Sequence, residues 1–150
     1  MRLTLALTLL AGPLAAECRD DTVTVQGDFG RAAFRVEVAD EPQERAQGLM
    51  FVERMDRFAG MLFVYDTPQH ATFWMRNTLI PLDMLFADET GTITRIHENA
   101  VPLDESTIDG GTGVRYVLEV NGGLAGTLGI EEGDTLQHPL MGESAASPCP

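Results

Sequence analysis

The sequence predicts a mostly β (α+β) fold, a small β-barrel or strongly curved sheet carrying two short helices. Runs with a period of two, bounded by Gly, Pro, Asn and Asp, outnumber segments of helical spacing by about eight to two. Residues 58–87, FAGMLFVYDTPQHATFWMRNTLIPLDMLFA, hold six of the ten aromatic residues and three of the seven methionines against three formal charges, so the core is centred there. At 150 residues the chain has the length of one domain, enough to bury a core of its own.

After Met1 and Arg2, the run LTLALTLLAGPLAA is uncharged and ends in small residues, the layout of a signal peptide over 1–16 cleaved after Ala16. It is shorter than the ~20 residues that cross a membrane. Glu17, directly before Cys18, is not the small residue that lipid attachment to a cysteine needs, so no stable membrane anchor is expected after the signal is removed. The expected product is a periplasmic or secreted domain over 17–150, with a core from about 22 to 139 and a flexible C-terminal tail. Its two cysteines, Cys18 and Cys149, are an even count in an oxidising compartment and are expected to form a disulfide. A formal net charge of −13 repels nucleic-acid phosphates and anionic lipid headgroups, and excludes both as partners.

TVTVQGDFGRAAFRVEVAD alternates apolar and polar residues and reads as two strands joined near Gly27 to Gly30. In ADEPQERAQGLMF, Asp40 is the expected cap, Pro42 suits the first turn, and Glu41 and Arg45 are spaced to pair on a helix surface. GMLFVYD reads as a buried strand, DTPQ as a turn, HATFWMRN as the next strand, TLIP as a break and LDMLFAD as another strand. DETG is a hairpin turn into TITRIHENAV, and PLDESTIDGGTG has the composition of a loop. VRYVLEV sets Val114, Tyr116, Leu118 and Val120 against Arg115 and Glu119, after which Asn121 caps a short helix ending at Gly129. IEEGDTLQH supplies a turn and the closing strand, and MGESAASPCP reads as a disordered end apart from Cys149.

ERAQGLM, GMLF, FWMRNT, the PLD between Ile80 and Met84, and the ending from NGG through GDTL together resemble the bacterial and archaeal family catalogued as domain of unknown function 192. The resemblance runs from about Val23 to Pro139. It implies a compact, mostly β-barrel domain, frequently exported. It brings no established activity and therefore no catalytic residues.

Trp74, Arg76, Asn77, Thr78 and Asp83 place polarity inside the apolar centre, where it must be paired, solvated or lining a pocket. One reading is a structural network in which Arg76 or Arg45 meets Asp83. A second is a binding site, in which Trp74 offers a stacking face, Arg76 a donor fork, and Asn77, Thr78 and Asp83 further polar contacts to a small polar ligand or an envelope protein. A third is a hydrolase pairing Asp83 with Glu98 or Glu119, His97 moving protons, although GxSxG, HExxH and phosphate-binding loops are all absent from the sequence. Met50, Met61, Met75 and Met84, with Trp74 and either His70 or His97, form a soft ligand set that would suit Cu(I), but methionines so spaced more commonly fill cores. The leading expectation is a non-catalytic binding module with no cofactor.

Overall fold

The computed structural model describes residues 18–150, so the expected signal segment over 1–16 lies outside the described residues. In chain order the elements are β1 (Thr22–Gly27), β2 (Gly30–Ala39), α1 (Pro42–Gln47), β3 (Ala59–Phe73), β4 (Leu82–Ala87), β5 (Ile93–Ala100), β6 (Ile108–Asn121), α2 (Leu124–Leu128) and β7 (Thr135–Gln137). The strands form one sheet in the order β5-β4-β6-β3-β2-β1-β7, curled into a half-barrel. The mostly β fold with two short helices is as expected. All neighbouring strands run antiparallel except β2 and β3, a parallel pair whose crossover contains α1.

Two strand boundaries differ from expectation, for one physical reason. The DTPQ turn and the separate strand after it do not form: GMLFVYD and HATF are halves of the 15-residue β3. Its register against β6 shifts between Val64 and Gln69 and again on either side of Ala71. Pro68 therefore falls where the ladder is already interrupted, at bulges that bend the strand without ending it. The supposed loop over 102–113 is strand from Ile108 onward, because its glycines meet the bent half of β3 and the side chain of Phe86. A Cβ on Gly110 would stand 2.3 Å from Phe86 Cδ1, so glycine there is a packing requirement and not a turn signal.

The helix caps also shift. Glu41, not Asp40, caps α1, and its backbone N–H donates to Glu44 Oε2 at 3.2 Å. Arg45 does not pair with Glu41. It turns back to donate from Nη1 to the carbonyls of Asp40 and of Val64. Gly123, not Asn121, caps α2, whose end at Gly129 is as expected.

Both faces of the sheet are buried, which is why all six residues of β4 are enclosed. Phe34, Leu62, Leu85, Leu118, Val120 and Leu136 belong to the core inside the curl. Met61, Phe63, Met84, Phe86 and Val117 face the other way, into a second core covered by Leu49, Met75 and Ile80 from the connecting loops. The curl brings the outer strands together: Ile93 N–H donates to Asp134 O, and Gly133 N–H to Ile93 O, each at 2.8 Å. The C-terminal segment is held in place and not frayed as its composition suggested. Met141 and Ala145 are buried in the inner core, Ala146 N–H donates to Thr90 O at 2.8 Å, and Cys149 is bonded to Cys18 across 131 residues of chain.

Candidate functional site

Register alone separates the two buried carboxyls at the centre of the sheet. Asp83 of β4 lies opposite Val120 of β6, and Met84 opposite Glu119, so Asp83 and Glu119 project from opposite faces.

Asp83 is fully buried and fully occupied. Its Oδ1 accepts from the N–H groups of Asn99 and Gly123, and its Oδ2 from that of Ala125, each at 2.8 Å. The carboxylate thus ties β4 to the end of β5 and to the first turn of α2, where orphan N–H groups need an acceptor. Neither Arg76 nor Arg45 reaches it. The pairing with Glu119 needed for acid–base chemistry is blocked by the sheet between them, and Glu98 instead lies against Gly126 of α2.

Trp74, Arg76, Asn77 and Thr78 sit together in the loop after β3. Trp74 is 46% exposed, and the Arg76 guanidinium lies 5.3 Å from its ring centroid while Nε faces Glu105 Oε1 at 3.5 Å. Asn77 adopts a left-handed φ of 54°, its carbonyl accepts from Phe51 N–H at 2.8 Å, and its amide points to Met50 Sδ at 3.9 Å. Thr78 is buried, donates to Arg76 O, and accepts through its carbonyl from Leu103 N–H. Asn77 and Thr78 therefore shape the loop, while Trp74 and Arg76 form its outward edge.

That edge borders a cleft of about 230 Å³ between the end of α1, β3 and the Trp74 loop. Its walls carry Phe63, Tyr65 and Phe73, with Arg45 and Arg76 among the lining side chains, and Glu119 of β6 contributes to the lining from within the sheet. Phe63 and Phe73 meet edge to face at 5.2 Å, and Arg45 stacks on Tyr65 at 5.4 Å. Glu119 is only 4% exposed, no hydrogen bond or ion pair holds its side chain among the described residues, and its carboxyl oxygens are not sealed off but open to the cleft. Burial alone pushes its carboxyl up to about 8, so it is neutral at pH 7. Burial likewise raises the Tyr65 hydroxyl, opposed by Arg45 and reinforced by Glu119. The alternation in VRYVLEV puts Glu119 on the side of the strand opposite Tyr116, Leu118 and Val120. What it missed is that β6 lies between β3 and β4 and is covered on both sides, a burial signalled only by Val117, which shares that face.

A wider depression of about 650 Å³ shares the wall formed by Gln47 to Met50. Its charged side chains are exposed, and Arg35 and Asp56 pair there at 3.0 Å. The soft ligand set is divided: Met50 and Met61 line this wider depression, while Met75 and His97 line a separate one beside Ser106. His70 is bound to Asp109 at 2.7 Å on the surface, a contact that holds the Asp109 carboxyl below its ordinary range.

None of the curated proteins compared matches this chain. Solved structures do, two of them each with a TM-score of 0.76 and 42% sequence identity. One is a protein of unknown function from Novosphingobium aromaticivorans DSM 12444, covering 87% of this chain and 93% of that one. The other, from Sinorhizobium meliloti 1021, is described as a candidate transcription regulator and covers 81% of this chain and 95% of that one. The family model for domain of unknown function 192, described as an uncharacterized ACR, matches residues 22–138, and the chain belongs to that family.

Proposed function

We propose that this protein is a non-catalytic binding module of the cell envelope, working in the periplasm or outside the cell, that takes a small polar ligand into the cleft bordered by Trp74 and Arg76. The observation that carries this reading is a concave aromatic site with a buried carboxyl in its lining and an exposed indole–guanidinium pair at its border. The Cys18–Cys149 disulfide supports an oxidising compartment. Asp83, a contact in the binding reading of the sequence, supports the site from behind the sheet and is not offered to the ligand. A net charge of −13 argues against nucleic acid as the partner, whatever role the Sinorhizobium protein has.

Trp74 is the sole tryptophan, so its fluorescence reports on this site alone. Titration with amines, amino acids, organic acids and short sugars should give a saturable change with at least one class, and Phe73→Ala should weaken that response. Flat titrations with every class would overturn the binding reading.

A further inference from the structure

We infer that Glu119 is the ligand-recognition group of this cleft, and that the ligand it takes is a protonated primary amine on a short apolar stem. The inference rests on the cleft being a binding site, and it specifies the chemistry of what binds there.

One pair of neighbouring strands holds two buried carboxyls with opposite surroundings. Asp83 has three N–H donors for its carboxylate, whereas Glu119, on the neighbouring strand and almost as deeply buried, has none among the described residues. A buried carboxyl without protein partners costs stability that Met or Leu at the same position would not. A purely structural residue has no reason to bear that cost.

The groups facing Glu119 explain why it stays unpaired. From α1 comes Arg45, whose guanidinium is bound to the carbonyls of Asp40 and Val64 and stacked on Tyr65. The loop after β3 brings Arg76, held by Glu105 and the Trp74 ring. β3 contributes the Tyr65 hydroxyl, and β4 presents Met84, which does not titrate. Neither guanidinium comes within ion-pair distance of Glu119. No cation of the protein neutralises the carboxyl, and the space beside it is walled by Phe63, Tyr65 and Phe73.

Aromatic faces around a carboxylate suit an ammonium, which gains both the ion pair and the attraction of the rings. The net charge of −13 draws cations towards the molecule. Because burial keeps Glu119 protonated up to about pH 8, an arriving ammonium must expel one proton to solvent and leave a carboxylate–ammonium pair. No other bond changes.

The test is calorimetric titration of the oxidised protein with n-butylamine, n-butanol and butyrate, alongside Trp74 fluorescence. Butylamine remains an ammonium from pH 6 to 9. Its affinity should rise by about tenfold per pH unit below 8 and then level off, with about one proton released per ligand in buffers of different ionisation enthalpy. Butyrate should not bind, and Glu119→Gln should weaken butylamine by about tenfold or more and abolish the pH slope. Should that variant fail to fold, proton release by the wild type still decides the matter. A Trp74 response to butanol, butyrate or a sugar but not to butylamine would overturn this inference and leave the binding reading standing. So would butylamine binding with no proton release. Silence from every probe would overturn both.

Discussion

The two central carboxyls show how one residue type serves opposite ends. Asp83 meets three N–H donors and works as a clamp, while Glu119 meets nothing and is forced neutral. The consequence for stability has a definite sign. Glu119 titrates near 4.5 when unfolded and near 8 when folded, so between those values the folded chain holds the extra proton. Its contribution is therefore greatest below pH 4.5 and falls as the pH rises to 8, by something on the order of 5 kcal/mol. Denaturant unfolding of wild type and Glu119→Gln should diverge across that window, the wild type losing stability relative to the variant as the pH rises. Parallel curves would mean that the carboxyl is solvated. At this scale the sequence singled out Trp74 and Arg76 as polarity within the apolar centre, and the structure moves both to an exposed loop edge. The burial of Glu119 was not legible, because alternation gives the side of a strand without saying whether that side is covered.

Among the elements, β3 and α2 carry most of the arrangement. The bulges in β3 bend the strand along β6, and Tyr65, Phe73 and the Trp74 loop line the same cleft. α2, five residues long, is too short to be stable alone and depends on Asp83 for its first turn. Asp83→Ala should therefore release α2 from β4 and cost about 3 kcal/mol or more, read as a lowered unfolding midpoint together with rapid amide exchange at Gly123 and Ala125. A loss below about 1 kcal/mol would show that the clamp is dispensable. Hairpins such as β1–β2, joined by Gly27 to Gly30 as the period of two required, could be read directly. The continuity of β3 could not. Proline and Asp in DTPQ are turn formers locally, and only pairing with a distant strand decides that they sit at a bulge.

At the scale of the whole molecule, the Cys18–Cys149 bond closes nearly the full described chain into one loop. In the chain-entropy account, a loop of 131 residues contributes up to about 5 kcal/mol. Reduction, or Cys149→Ser, should lower the melting temperature by about 10 °C, while Trp74 emission in the folded state stays unchanged because neither terminal segment lines the cleft. A melting temperature unaffected by reductant would show that the terminal contacts of Met141, Ala145 and Ala146 suffice alone. The sequence exposed the pairing, since two cysteines have one partner each. It concealed the packing of the segment before Cys149, whose small polar residues look disordered until the disulfide fixes where they lie.

The meeting of β5 with the turn before β7 bears on how the molecule behaves in a crowd. Open sheets offer their outermost backbone groups to any passing strand, a common beginning of aggregation. Here Ile93, the first residue of β5, spends its groups on Gly133 and Asp134, Thr92 just before it bridges Thr135, and β7 is only three residues long. The closure therefore shields one corner of the sheet, and leaves the side of β5 facing away from β4, over 94–100, as the stretch of edge open to another strand.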